Sequence, residues 1–165
     1  MSSPATPRIP TIPDEDHVFH VGTDGDDTIV TGNGADALVG KGGNDILVAR
    51  DGNDNLYGED GNDNLYGENG DDHSWGGGGS DNIWAGGGTD QLFGQGGNDN
   101  LYGEDGNDYL DGGAGNDVLM GGAGNDILMG GDGQDELHGG SGDDLMSGGV
   151  GGGGATRSIS SRRMA

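Results

Sequence analysis

Apolar residues recur at a fixed spacing of nine along residues 22–147, where one short motif is repeated fourteen times without insertion or deletion. With the register started at Gly22, position 8 of every unit is Ile, Leu or Met, except for Ser74. Position 6 is always Asp, and position 4 is always Gly, from Gly25 to Gly142. Three columns that stay in phase over this length predict a repeat protein rather than an ordinary globular domain.

The two parts of the unit predict different local structures. Positions 1 to 6 are rich in glycine and predict a turn, because glycine takes positive φ without steric cost. Positions 7 to 9 predict a very short strand that points outward, inward and outward, with position 8 in the core. A nine-residue unit cannot bury one side chain alone, so we expect neighbouring units to stack into an all-β solenoid.

The composition excludes several classes of protein. The chain has 42 glycines and no cysteine, which removes disulfide, zinc-thiolate and cysteine-nucleophile chemistry. Leu, Ile, Val and Phe make up only 27 of the 165 residues, too few for an ordinary apolar core. The net charge of −24 argues against nucleic acid and anionic membranes as partners. No apolar run is long enough for a transmembrane segment.

The aspartate column implies a cation. Fourteen carboxylates at one repeated turn position would line the edges of the stack, and their repulsion would oppose folding. Carboxylates and turn carbonyls are hard oxygen ligands, which favour calcium or magnesium over softer metals. Flexible turns that offer many oxygens favour calcium, because magnesium demands stricter octahedral geometry.

Units such as GGAGNDVLM (112–120) and GGAGNDILM (121–129) resemble the GGxGxDxUx nonapeptide of RTX, or haemolysin-type, calcium-binding proteins. The resemblance implies a parallel β-roll of about seven two-strand coils of 18 residues, with turns on opposite edges. It also implies Ca²⁺ between the turns of unit n and unit n+2, bound by position-6 aspartates and turn carbonyls. The implied ligands are Asp27, Asp36, Asp45, Asp54, Asp63, Asp72, Asp81, Asp90, Asp99, Asp108, Asp117, Asp126, Asp135 and Asp144.

This arrangement would explain how so acidic a chain becomes compact. Seven turns on each edge leave six gaps, so the roll would hold up to twelve Ca²⁺, whose charge matches the −24 of the chain. We expect folding to depend on calcium, because the free energy of binding becomes free energy of folding when no site exists in the unfolded chain.

Position 9 carries most of the aromatic residues. Because alternate units fall on opposite faces, Tyr57, Trp75 and Phe93 predict one outward ladder, and Tyr66, Trp84 and Tyr102 predict a second. The rings either stabilise neighbouring strands by stacking or form an adhesive face for another copy, a saccharide or a host domain. Trp75 either joins its ladder or folds inward beside Ser74. A stacked amide ladder is also expected at position 7, from Asn55, Asn64, Asn82 and Asn100.

Three segments follow from the period: a Pro-rich N-terminal segment (1–21), the roll (22–147) and a Gly-rich, basic tail (148–165) expected to be flexible. Residues 17–21 alternate in polarity and predict a strand that caps the open end of the roll. The tail departs from the apolar, acidic C-terminal signal usual in exported RTX proteins.

No catalytic residues are predicted. His17, His20, His73 and His138 occupy unrelated register positions, and no nucleophile elbow or phosphate loop is present. The main hypothesis is therefore a non-enzymatic, structural calcium-binding roll that is secreted, extracellular or on the cell surface. The alternatives are a self-assembling filament, surface coat or adhesive protein, and a carrier module of a larger secreted enzyme or toxin.

Overall fold

The structure is a computed structural model that describes residues 17–149 and, for the backbone, residues 157–161. These residues form two eight-stranded parallel sheets and contain no helix. The odd sheet contains, in spatial order, β1 (Phe19–Val21), β3 (Ala37–Gly42), β5 (Asn55–Asp60), β7 (His73–Gly78), β9 (Gln91–Gly96), β11 (Tyr109–Ala114), β13 (Ile127–Asp132) and β15 (Leu145–Ser147). The even sheet contains β2 (Thr28–Val30), β4 (Ile46–Asp51), β6 (Asn64–Asn69), β8 (Asn82–Gly88), β10 (Asn100–Gly106), β12 (Val118–Ala123), β14 (Glu136–Ser141) and β16 (Arg157–Ser161).

The chain alternates between the sheets, so one odd and one even strand make a coil of 18 residues. Each inner strand therefore pairs with the strands two before and two after it in sequence, as Leu56 pairs with Leu38. The prediction of a parallel β-solenoid of about seven coils is confirmed.

The strands are longer than the three residues that the repeat predicts. Inner strands run for six or seven residues, from position 7 through position 3 of the next unit, and only β1, β2 and β15 have three. Position 2 lies in these strands with a positive φ even where it is not glycine, as in Glu59 (φ 73°) and Glu104 (φ 73°). Side chains alternate outward and inward through positions 7, 8, 9 and 1, so position 1 faces the interior together with position 8.

The interior is a narrow double ladder of apolar side chains. Ten leucines at position 8, from Leu38 to Leu137, are fully buried, and Ile29 and Ile83 continue the same column. Full burial of such a side chain contributes roughly 1.5–3 kcal/mol. Ser74 interrupts the column in the odd sheet, where it is buried between Leu56 and Leu92.

Both ends of the solenoid carry strands from outside residues 22–147. β1 begins the odd sheet beside β3, in the position a capping strand would take. The backbone N–H of Val18 donates to Oδ1 of Asp36 at 2.7 Å, a contact that the repeat reproduces in later coils. At the other end, β16 pairs with β14, although its register is shifted past His138.

Candidate metal centres

Glycine at position 4 allows the turns to stack closely. Its φ is positive in unit after unit, for example 149° at Gly61 and 152° at Gly106. The carbonyl oxygen of the same position in the preceding coil lies directly against this Cα, so that a Cβ at Gly61 would overlap the Gly43 oxygen. Only glycine fits this packing, which places the following Asp of every turn at the same height in the stack.

The aspartates form two columns, one on each edge of the roll. We call "first edge" the turns that lead from the odd to the even sheet, which carry Asp27, Asp45, Asp63, Asp81, Asp99, Asp117 and Asp135. The "second edge" is formed by the turns from the even to the odd sheet, which carry Asp36, Asp54, Asp72, Asp90, Asp108, Asp126 and Asp144. The structure thus brings the predicted residues together as two rows rather than as isolated sites.

One oxygen of each carboxylate from Asp36 to Asp144 joins neighbouring coils. Oδ1 of Asp81 accepts from the backbone N–H of Asp63 at 2.8 Å, and Oδ1 of Asp99 accepts from that of Asp81 at 2.8 Å. The same bond recurs along the second edge, as from the N–H of Asp54 to Oδ1 of Asp72 at 2.8 Å. Successive turns are therefore linked through their aspartates.

The second oxygen is left without a hydrogen bond. Among the described residues, Oδ2 of every position-6 aspartate from Asp36 to Asp144 is buried and has no partner. An unsatisfied buried polar atom costs about 1–3 kcal/mol, and more when it is charged. Thirteen such atoms in one small roll call for a bound cation.

A backbone oxygen of the next coil lies close to many of these carboxylate oxygens. A Cβ built on Gly67, at position 1 of its unit, would meet Oδ2 of Asp72 and lie 2.7 Å from the carbonyl oxygen of Ala85 in the next coil. At Gly94 it would meet Oδ2 of Asp99 and lie 2.6 Å from the carbonyl oxygen of Gly112. Position 1 is thus a place where a carboxylate and a carbonyl oxygen from adjacent coils converge.

Burial makes these carboxylates costly to ionise in the absence of a cation. Desolvation raises the pKa of Asp72, Asp81 and Asp108 to about 7. It raises the pKa of Asp54, Asp90 and Asp117 to about 6. For Asp81, the hydrogen bond that the backbone N–H of Asp63 donates to Oδ1 lowers the pKa of the carboxyl, but desolvation raises it by more.

The donor set fits calcium. No group of three or more His, Cys, Asp or Glu side chains suited to a metal occurs in the described part of the chain, so carbonyl oxygens must complete any site. Carboxylate and carbonyl oxygens without nitrogen or sulfur are the ligands of Ca²⁺, which accepts six to eight of them in flexible geometry.

The model of the RTX calcium-binding nonapeptide repeat, in blocks of four copies, matches residues 21–47, 39–73, 48–83, 84–119 and 120–154. The chain belongs to the RTX calcium-binding repeat family. No curated protein is significantly similar to it. RTX repeats bind Ca²⁺ and form structural rather than catalytic domains, and proteins that contain them are typically secreted.

The RTX roll departs from its own repeat at Asp27. Oδ2 of this residue accepts from the backbone N–H of Thr23 at 2.5 Å and from its hydroxyl at 2.8 Å. These bonds lower the pKa of Asp27. Further along the roll, desolvation instead raises the pKa of the equivalent aspartates, such as Asp81. The first turn is therefore closed by Thr23, and its carboxylate has less need of a cation.

The RTX roll has a second column of polar side chains, at position 5, which we did not predict from the sequence. The side chain at position 5 accepts from the N–H of the residue 18 positions later, as Oδ1 of Asn62 accepts from the N–H of Ser80 at 2.7 Å. The signal was present, because position 5 carries Asn, Asp, Ser, Thr or Gln in every unit except at Ala35. These bonds point along the stack in the direction opposite to those of the aspartates.

The outward ladders of the RTX roll are formed. Tyr57 and Trp75 stack with ring centroids 4.6 Å apart, and Phe93 follows at 5.7 Å. Tyr66, Trp84 and Tyr102 stack at 4.7 and 5.5 Å on the even sheet. Trp75 therefore does not fold inward, and that alternative is wrong: Ser74 stays buried with its hydroxyl unpaired.

The predicted amide ladder forms on the even sheet. Asn82 donates to Asn64 at 3.2 Å and accepts from Asn100 at 2.9 Å. Asn55 lies on the odd sheet, where its strand partner is His73. Within the described residues, no helix is long and apolar enough to cross a membrane.

Proposed function

We propose that this RTX roll is a structural calcium-binding element that folds when Ca²⁺ binds between successive turns. The observation that carries the proposal is the row of buried Oδ2 atoms without partners, many of which lie beside a carbonyl oxygen of the next coil. In each gap, the aspartates of both coils and the position-1 carbonyl would hold the ion. The ion supplies the positive charge that compensates buried carboxylates.

The proposal includes an extracellular setting. Extracellular calcium modules work at dissociation constants of about 0.1–1 mM, well above the free calcium of the cytosol. A chain with a charge of −24 and a small apolar core would stay expanded without the ion and become compact after export. Scarcity of calcium inside the cell would thus keep it competent for export.

Calcium titration of two matched variants tests this proposal. Asp81→Asn removes a buried carboxylate from the middle of the first edge, whereas Asp105→Asn removes an equal charge from an exposed side chain. We expect Asp81→Asn to raise the calcium concentration needed for half-maximal β-structure, measured by circular dichroism, and Asp105→Asn to leave it nearly unchanged. Equal effects would mean that overall charge, and not the aspartate column, governs folding. Magnesium at the same concentrations serves as the control ion.

A second candidate function is self-association through the even sheet. A groove of about 220 Å³ is lined by Tyr66, Glu68, Trp84, Gly86 and Glu104, among others. The ring faces are used in stacking within the ladder, so the ring edges and the two glutamates face outward along the groove. A partner would have to contact these edges.

Sedimentation at saturating calcium distinguishes this role from strand stabilisation. If the even ladder mediates association, Tyr66→Ser/Trp84→Ser/Tyr102→Ser should convert an oligomer into a monomer. The corresponding odd-ladder variant, Tyr57→Ser/Trp75→Ser/Phe93→Ser, should leave the oligomer intact. A monomeric unmodified protein would reject this function and leave the ladders with stabilisation alone.

A further inference from the structure

Position 1 of the repeat lies where the two oxygens of a candidate site converge. Along the roll, a Cβ added at a position-1 glycine would meet Oδ2 of the aspartate five residues later, as at Gly58, Gly103 and Gly121. A neighbouring carbonyl oxygen of the next coil lies on the other side, 2.6 Å away at Gly103 and at Gly121. Any side chain at this position enters the space between them.

The two edges differ in this column. On the first edge, position 1 is glycine in every unit: Gly22, Gly40, Gly58, Gly76, Gly94, Gly112 and Gly130. On the second edge, the column reads Thr31, Ala49, Gly67, Ala85, Gly103, Gly121 and Gly139. Three of the first four residues on the second edge therefore carry a Cβ.

These three side chains are in the interior and cannot turn away. Thr31, Ala49 and Ala85 are all buried, with exposed fractions of 2%, 0% and 1%. The hydroxyl of Thr31 also donates to the carbonyl oxygen of Ala49 at 3.1 Å, so it occupies the position-1 carbonyl oxygen of the next coil. Nevertheless, Oδ2 of Asp36, Asp54 and Asp90 in the same units remains buried without a hydrogen bond.

We propose that the two edges of the roll bind calcium unequally, because Thr31, Ala49 and Ala85 obstruct three gaps of the second edge. This inference rests on the proposed function. Of the twelve gaps between paired turns, nine are bounded by glycine at position 1 and three are obstructed. A methyl group needs about 3.4 Å from an oxygen atom, whereas Ca²⁺ lies about 2.3–2.6 Å from its oxygen ligands. A side chain at position 1 therefore occupies the space that an ion bound to the same two oxygens would need. We expect affinity in the obstructed gaps to fall by about tenfold or more.

The consequence is an ordered filling of the roll. The first edge would fill from the gap at Gly40 onward, together with the gaps at Gly67, Gly103 and Gly121 on the second edge. The gap at Gly22 would fill later, because Thr23 already donates two hydrogen bonds to Oδ2 of Asp27. Two of the obstructed gaps, at Asp36 and Asp54, lie in the N-terminal half of the second edge, and the third, at Asp90, lies near the middle of the roll. The N-terminal half would become fully occupied only at higher calcium concentration.

Counting bound ions tests the inference. Isothermal titration and equilibrium dialysis of the full chain against Ca²⁺ should give about eight ions in a tight class, one for each glycine-bounded gap except that of Asp27, and about four in a weaker class. In Thr31→Gly/Ala49→Gly/Ala85→Gly, three ions of the weaker class should join the tight class, giving about eleven. Each new glycine destabilises a strand by roughly 0.5–1 kcal/mol, so a gain in tight sites cannot arise from a general gain in stability.

Variants that add a Cβ at a position-1 glycine provide the opposite test. Gly67→Ala should remove one ion from the tight class, and Gly58→Ala should do the same on the first edge. A single class of twelve equal ions in the unmodified protein, or no change in the glycine variant, would overturn the inference while leaving calcium binding intact. Absence of calcium binding in both proteins would instead reject the proposed function.

Discussion

Protons should stabilise the calcium-free roll, because folding buries carboxylates whose pKa rises. The raised values are about 7 for Asp72, Asp81 and Asp108 and about 6 for Asp54, Asp90 and Asp117. In the unfolded chain an aspartate has a pKa near 3.8, so the folded roll binds protons more tightly than the unfolded chain does. The resulting penalty is absent below pH 3.8, grows as the pH rises and is complete above about pH 7.

The size of this penalty decides whether the roll can fold without calcium. Each pKa unit corresponds to about 1.4 kcal/mol, so Asp81 alone would lose about 4 kcal/mol if water did not screen its charge. Allowing for screening, about 1–2 kcal/mol for each of the six residues gives on the order of 10 kcal/mol. That is as large as the whole free energy of unfolding of a typical domain, about 5–15 kcal/mol. The calcium-free roll should therefore be unfolded at pH 8 and gain β-structure on acidification.

Circular dichroism of metal-free protein between pH 8 and pH 5 measures this effect. The lower limit avoids precipitation near the isoelectric point, about 4.1. We expect the β signal to rise progressively as the pH falls from 7 to 5, and to be nearly independent of pH at saturating calcium. Asp81→Asn should show a smaller dependence on pH than Asp105→Asn. A β signal that is unchanged or weaker at pH 5 would show that burial of the aspartates does not oppose folding of the calcium-free chain.

Further predictions concern the packing and the ladders of the calcium-loaded roll, measured by urea unfolding. Ser74→Ala should raise the free energy of unfolding by about 1 kcal/mol, because the Ser74 hydroxyl is buried without a partner; a loss of stability would show that the hydroxyl is satisfied. Leu101→Ala should cost about 2–5 kcal/mol through the cavity it leaves, whereas Met120→Ala, at a side chain 41% exposed, should cost much less. Asn62→Ala should cost about 1 kcal/mol and speed hydrogen exchange of the Ser80 amide, which donates to Asn62; unchanged exchange would argue against the position-5 column.

The architecture could be predicted because every unit repeats the same local choices. A period of nine with two units per coil places residues 18 apart side by side, which fixes the Leu ladder and the ring pairs such as Tyr66 and Trp84. Gly at position 4 and Asp at position 6 are nearly sufficient to define the turn. The arrangement of Asp81 beside Asp63 and Asp99 thus follows from the period alone.

Other features depend on contacts between coils that the pattern of one unit does not contain. The strands extend through position 3 because positions 1 to 3 pair with the next coil, and this requires positive φ at residues such as Lys41 and Glu59. The sequence shows that glycine is common at position 1 but does not show why. The reason is that Oδ2 of an aspartate and a carbonyl oxygen lie close to where a Cβ would be, and not that the residue has a positive φ. Trp75 could not be placed, because stacking on Tyr57 competes with filling the space beside Ser74.

The most direct test of the central claim is small-angle X-ray scattering at pH 8, with circular dichroism of the same samples, in metal-free buffer and in millimolar calcium. We expect an expanded chain without β-structure in metal-free buffer, with a radius of gyration of about 40 Å. In calcium we expect a folded roll with a radius of gyration of about 15–20 Å. A compact particle with full β-structure in metal-free buffer would contradict the claim that ions between the turns complete this fold.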